Sequence, residues 1–222
     1  MLLAALAALF VLVQLWFAAN IVWYRFEAPR QTAFMAQRLA ELRETKPGAQ
    51  IKYQWVPYAR ISNHLKRAMI AAEDAKFLEH AGFDWEGIDN AREKNLKSGR
   101  VVAGGSTITQ QLAKNLFLSP AKSYLRKGEE AIVSVMLEAL LPKQRILELY
   151  LNVIEWGNGV FGAEAAARHY FGTTAAQLSQ EQAARLAAMA PSPRRFERNP
   201  QSAYLSGRVA TILARMPGAA IP

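Results

Sequence analysis

The first 24 residues carry no charged side chain, and only Gln14 and Asn20 among them are strongly polar. No other feature constrains the chain as much. Written as a helix, the segment spans about 36 Å, enough to cross a hydrocarbon core of roughly 30 Å with some tilt. Trp16, Trp23 and Tyr24 are residues of the kind that settle at a membrane interface. The competing reading is a cleaved signal peptide, which would have a shorter apolar region, a basic stretch before it and a small-residue cleavage site. An uncleaved anchor is the expectation. Its flanks run against the positive-inside rule. No Lys or Arg precedes the span and Arg25 and Arg30 follow it, which by that rule would leave the remainder in the cytoplasm. A truncated N-terminus, longer and basic in the natural chain, is the expectation that reconciles the two.

The 222 residues leave room for one domain besides the anchor. Net charge is +9, and every Lys and Arg lies beyond residue 24. A basic surface seeks anions, and with an anchor present an anionic lipid or a phosphorylated substrate is expected, not nucleic acid. Cysteine is absent, which excludes disulfides and thiolate metal sites, and His64, His80 and His169 lack the spacing of a zinc helix. The chain divides into an anchor (1–24), a polar, helical stem (25–50) ending near Pro47-Gly48, and a domain (51–222). Residues 50–56 read as a short extended piece. Beyond them the spacing predicts helices over about 62–79, 85–97, 106–118, 123–141, 143–152, 160–170, 179–190 and 201–215, broken at Gly and Pro. The fold class is mainly α.

Three features carry chemistry. On a helix over 62–79, Leu65, Met69, Ala72 and Phe77 form an apolar arc, and Glu73 falls on it while Asp74 points away, next to Arg67. A carboxylate facing an apolar side is costly unless paired, and burial raises its pKa toward the range of a general base. A Glu satisfied by a buried Arg or by helix-end amides is the structural alternative. Glu130 shares a line with Val133, Leu137 and Leu141, with Arg126 and Lys127 one turn back, either an ion-pair cluster or part of a site. Gly104-Gly105-Ser106-Thr107-Ile108-Thr109-Gln110-Gln111 combines two glycines, Ser106 as an N-cap and several donors at a helix start, a place suited to a sugar or phosphate. Lys114, Lys122, Arg126 and Lys127 lie between this loop and Glu130, which makes a pyrophosphate site coherent.

Five ordered stretches then resemble the monofunctional biosynthetic peptidoglycan transglycosylases, which share their domain with bifunctional penicillin-binding proteins. They are Glu73-Asp74-Ala75-Lys76-Phe77-Leu78-Glu79-His80-Ala81-Gly82-Phe83-Asp84, then 104–114, then Arg126-Lys127-Gly128-Glu129-Glu130, Arg145-Ile146-Leu147-Glu148-Leu149-Tyr150-Leu151-Asn152, and 185–193. Ile154-Glu155-Trp156-Gly157 is typical of the monofunctional branch. The resemblance covers roughly residues 50–215. It implies a lysozyme-like, two-lobed helical domain whose mobile, lipid-proximal part is about 84–103. It also implies a single-pass protein of the bacterial cytoplasmic (inner) membrane with its catalytic domain on the extracytoplasmic side.

The implied substrate is lipid II, a disaccharide-peptide on undecaprenyl pyrophosphate, and the implied partners are the growing glycan strand, the membrane and other cell-wall synthesis proteins. Glu73 would be the general base and Glu130 the carboxylate near the donor pyrophosphate. Substrate contacts would involve Lys76, Phe77, His80, Gly105, Ser106, Thr107, Gln110, Gln111, Lys114, Lys122, Arg126, Lys127 and Asn152. Pyrophosphate leaves as a stabilised anion and needs counter-charge, supplied by basic residues or by a divalent cation (Mg2+ or Mn2+) held near Glu130; no organic cofactor is expected. A lysozyme-like lytic hydrolase using both carboxylates, and a catalytically silent scaffold, are the alternatives. The chain ends soon after the fifth stretch, so cross-linking of peptides is expected from other proteins.

Overall fold

The computed structural model describes residues 1–100, 104–118 and 123–222. Helix α1 (Leu2–Tyr24) is long and apolar enough to cross a membrane. Its buried residues, Phe17 and Ile21, sit toward its C-terminal end, where Phe17 meets Phe117 of the domain at 5.2 Å between ring centroids. Arg145 closes the junction. Its Nε donates to the Tyr24 carbonyl at 2.7 Å and an Nη donates to the Glu27 carbonyl at 2.6 Å. The first bond satisfies a carbonyl that the C-terminus of α1 leaves without an intrahelical partner, and the second holds the chain just beyond it. The anchor is thus hydrogen-bonded to the domain as well as tethered to it.

The stem contains α2 (Ala33–Thr45), capped by the Thr32 hydroxyl. It does not stand free. Arg38 is buried and pairs with buried Glu155, Nε to Oε1 at 2.8 Å. Strand β1 (Lys52–Tyr53) occupies the expected extended piece. The helices of the domain follow: α3 (Asn63–Glu73), α4 (Trp85–Ser98), α5 (Ile108–Phe117), α6 (Tyr124–Leu140) and α7 (Lys143–Val153). After β2 (Glu155–Gly157) and β3 (Val160–Phe161) come α8 (Ala163–Phe171), α9 (Gln180–Met189), α10 (Pro193–Arg198) and α11 (Ala203–Arg215). The mainly α expectation holds for the described residues.

Three expectations change in detail. The helix predicted over 62–79 stops at Glu73, because the Asp74 carboxylate is drawn to other groups and the chain turns there. Asp74 is therefore buried instead of facing Arg67, whose guanidinium donates to the Ala219 carbonyl. The helix predicted from 106 begins at Ile108, with Thr107 and not Ser106 as its cap. The helix predicted over 160–170 begins at Ala163, since Val160 and Phe161 are drawn into a sheet of order β1-β3-β2, parallel to β1 and antiparallel to β2. Gly162 makes that switch possible. Its φ is +81°, and a Cβ there would lie 2.6 Å from the Asn152 carbonyl oxygen.

α7 runs through the centre, with Leu147, Leu149, Tyr150, Leu151 and Val153 all without solvent exposure. α5 and α6 pack around it on one side, while α3, α9 and α11 pack together. Glu73, at the end of α3, faces the junction of these two groups, where Gln111 of α5 reaches it.

The Arg38–Glu155 pair generates a stability prediction. Removing Arg38 leaves buried Glu155 unmatched, at a cost of about 3–5 kcal/mol, whereas removing Glu155 leaves Arg38 its second partner, Glu41, and costs less. Arg38→Ala should lower the thermal unfolding temperature of the detergent-solubilised protein substantially, and Glu155→Ala should lower it by less. The double variant Arg38→Met/Glu155→Met should lose much less than Arg38→Ala. Equal losses in all three would show that the pair itself contributes little.

Candidate active site

Glu73 is held from two directions. Gln111 Nε2 donates to Oε2 at 3.0 Å and Arg208 Nη2 donates to Oε1 at 3.0 Å. The Gln111 amide is itself oriented, because its oxygen accepts from the hydroxyl of fully buried Tyr150 at 3.0 Å. The Glu73 side chain is only 11% exposed. Burial pushes its carboxyl above the ordinary value, and the Gln111 and Arg208 bonds pull part of the way back. The result is a carboxylate that is aimed and paired, with its pKa above the ordinary glutamate value.

Asp74 performs the positioning. One oxygen accepts from the Ile108 amide at 3.0 Å, at the start of α5, and the other lies 2.8 Å from His80 Nε2. The Gly82 amide donates to His80 Nδ1 at 3.2 Å, so the ring proton sits on Nε2 and points at Asp74. The Thr107 hydroxyl then donates to the Gly82 carbonyl at 2.7 Å. Thr107 also forms a capping box with Gln110. These bonds stitch the turn after Glu73 to the N-terminus of the helix that carries Gln111.

The cations gather beside Glu130, which is buried near the start of α6. Both of its oxygens are engaged, one by Arg126 and one by Lys127. Lys127 Nζ also reaches Ser106 Oγ at 3.2 Å. Lys114, half-buried on α5, has no hydrogen-bond or ion-pair partner among the described residues. Burial lowers its pKa, Glu130 and Glu73 pull it back up, and Arg126 and Lys127 add to the lowering. An ammonium placed among such neighbours, with no anion of its own, is a place for an anionic ligand.

Two cavities share the Gly105–Ser106 wall. The smaller, of about 320 Å3, is lined by Glu73, Asn90, Lys94, Thr107 and Arg215, among others. The larger, of about 690 Å3, is mostly apolar and is lined by Ile88, Ala91, Leu96, Gln110 and Lys127. Gly105 is needed at this wall, because a Cβ there would lie 3.0 Å from the Ile88 Cα. Another cavity, about 790 Å3, lies elsewhere, between Phe34, Arg38, Glu155 and α10, and Glu73, Lys114, Arg126, Lys127 and Glu130 do not line it.

The expected substrate contacts separate into two sets. Gly105 and Ser106 line both cavities, with Glu73 on the smaller and Lys127 on the larger, while Gln111 bonds Glu73, Arg126 and Lys127 bond Glu130, and Lys114 lies in the field of both carboxylates. Phe77 is fully buried in the core, and Asn152 spends its amide on both backbone groups of Val56 and on the Glu148 carbonyl. His80 and Thr107 are committed to the positioning bonds, and Gln110 to the capping box, though it also reaches the larger cavity. Lys76 pairs with Glu86 at the surface. Lys122 lies outside the described residues. For a divalent ion the fit is poor. No three carboxylate or imidazole groups converge among the described residues, and neither oxygen of Glu130 is left without a cation. Sequence reasoning missed Arg208 and the role of Tyr150. Arg208 offered no motif, and Tyr150 reads as one more core residue of α7.

The family model described as Transglycosylase matches residues 38–217. The chain belongs to the transglycosylase family. It is 64% identical to a protein of Dechloromonas aromatica over 222 residues, covering all of this chain and 96% of that one. It is 58% identical to one of Laribacter hongkongensis over 219 residues, covering 99% and 96%. It is 56% identical to one of Bordetella pertussis over 222 residues, covering 98% and 92%. Each of these relatives is named biosynthetic peptidoglycan transglycosylase. The matched region of this transglycosylase begins at Arg38, the stem residue that docks onto Glu155.

In this transglycosylase, Asp74→Ala would leave the buried Ile108 amide without its acceptor, at a cost of about 1–3 kcal/mol. Thermal unfolding should show that loss, and activity should fall with it because Gln111 shifts relative to Glu73. Unchanged stability would show that the turn after Glu73 is held by other bonds.

Proposed function

We infer that this transglycosylase is a peptidoglycan glycosyltransferase, that its donor and acceptor are lipid II or a growing lipid-linked glycan strand, and that Glu73 is the base. The observation that carries the reading is Lys114, a half-buried side chain that has no hydrogen-bond or ion-pair partner among the described residues and lies in the field of Glu130, Arg126 and Lys127. Lys114, Arg126 and Lys127 contribute +3 and Glu130 contributes −1, leaving +2, which matches the two negative charges of a pyrophosphate diester. Glu73 takes the proton from the 4-hydroxyl of the acceptor sugar. That oxygen forms a bond to C1 of the donor as the bond from C1 to the phosphate oxygen breaks, with inversion from α to β. The electron pair leaves on undecaprenyl pyrophosphate, whose charge Lys114, Arg126 and Lys127 receive. No proton needs to be delivered to the leaving group.

A lytic hydrolase would need an acid at the leaving oxygen. Glu130 accepts hydrogen bonds on both oxygens, which suits an acceptor and not a donor. The membrane setting supports the same reading. Tyr124, Leu125, Ile132 and Val135 are exposed along α6, which packs beside α1, and Trp85 and Leu96 are exposed on α4. These apolar groups suit a domain resting on the extracytoplasmic surface of the inner membrane, where lipid-linked reactants diffuse. The mostly apolar cavity beside Lys127 would take the start of a lipid chain.

The test is glycan polymerisation from purified lipid II. Glu73→Gln should fold as the parent does and lose about 100- to 10,000-fold in rate, the range for a general base. Lys114→Ala should lose about 100-fold through kcat, since it meets charge that develops in the transition state. Near-parent polymer formation by Glu73→Gln would remove the assignment of the base.

A further inference from the structure

We propose that Arg208 is the positioning residue that aims Glu73 at the attacking sugar hydroxyl, an inference resting on the reading of Glu73 as the base. Glu73 is the last residue of α3, so no following helical turn packs against its side chain. Its direction is set by two donors on two other helices, Gln111 of α5 on one oxygen and Arg208 of α11 on the other. Each oxygen keeps a second lone pair for the incoming hydroxyl.

The place of Arg208 in α11 argues that it is not there for stability. α11 packs on α3 and α9. Its buried residues, Leu205 and Ile212, are spaced three before and four after Arg208, so the guanidinium sits on the apolar stripe. An apolar side chain at such a position is often as stabilising as an ion pair or more so. Arg208 also leaves its buried Nε without a hydrogen-bond partner among the described residues, which adds to the cost of placing it there. What the arrangement supplies is a fixed cation 3.0 Å from the catalytic carboxylate.

The other charged or titratable groups near Glu73 come from every neighbouring element. They are Asp74 next in the chain, Lys114 on α5 and Tyr150 on α7, together with Asp84, Lys94 and Arg215 on the walls of the same cavity. Among the described residues, Arg208 is the cation that bonds directly to Glu73. Its charge favours the ionised carboxylate, against the burial that raises the Glu73 pKa. Removing it favours the neutral acid, so the base becomes competent only at higher pH.

The experiment is kcat and KM for polymerisation of lipid II as a function of pH, for the parent, Arg208→Met, Arg208→Lys and Glu73→Gln, with thermal unfolding of each. In Arg208→Met the acidic limb of kcat/KM should move up by about one pH unit or more. The plateau kcat should fall about tenfold or more through misaimed attack, with KM little changed. Arg208→Lys restores the charge without the planar fork, so its acidic limb should return toward the parent position while kcat stays reduced. An acidic limb at the parent pH in Arg208→Met, or a uniform loss at every pH, would overturn the proposal. If Arg208→Met unfolds, Arg208→Lys decides the question, and an unreduced plateau kcat in that variant counts against positioning. Parent-level activity in Glu73→Gln would instead overturn the underlying reading of the base.

Discussion

The Asp74 carboxylate is the interaction on which the arrangement of the cleft depends. It ends α3 one residue after Glu73, holds the Nε2 proton of His80, and accepts the first free amide of α5. A single buried side chain thereby joins the turn that presents Glu73 to the helix that presents Gln111 and Lys114. Thr107 adds a second tie through the Gly82 carbonyl. A helix N-terminus carries unsatisfied amides and the positive end of its dipole, so a carboxylate there is stabilised by the same backbone it orders.

From that frame the division of labour follows. On one side of the Gly105–Ser106 wall is a buried carboxylate with a raised pKa, held by one neutral and one charged donor. On the other side is an excess of cations, with Glu130 spreading and fixing two of them. Lysozyme-like chemistry needs two carboxyl groups in opposite protonation states. Here the second carboxylate serves the cations instead, which suits a leaving group that departs as an anion. Arg145 adds a tie of its own, bonding the carbonyls of Tyr24 and Glu27 and so holding the end of α1 against the domain.

Much of this was legible in the sequence, and the misses have physical causes. The apolar N-terminal run, the helical spacing and the convergence of Glu73, Gln111, Lys114, Arg126, Lys127 and Glu130 were readable, because each rests on local periodicity or on ordered motifs. Helix ends were less so. The helix predicted to 79 stops at 73 because Asp74 prefers partners 6 and 34 residues away, which no local window reveals. Val160 and Phe161 form a strand because β1 and β2 offer edges to pair with, and helical spacing cannot see those. Phe77, His80, Thr107 and Asn152 carry motif positions yet hold the fold together, since motif membership does not separate contact with a ligand from support of the residue that makes it. Arg208 was invisible for the opposite reason. Only tertiary packing brings α11, 135 residues away in the chain, against Glu73.

The most direct test of the account is a crystal structure of the protein with a lipid-linked donor and an unreactive acceptor both bound. The account predicts the acceptor 4-hydroxyl oxygen within about 2.6–3.2 Å of a Glu73 oxygen and the donor pyrophosphate against Lys114, Arg126 and Lys127. A complex with Glu130 in contact with the leaving oxygen, and Glu73 far from the acceptor hydroxyl, would contradict it.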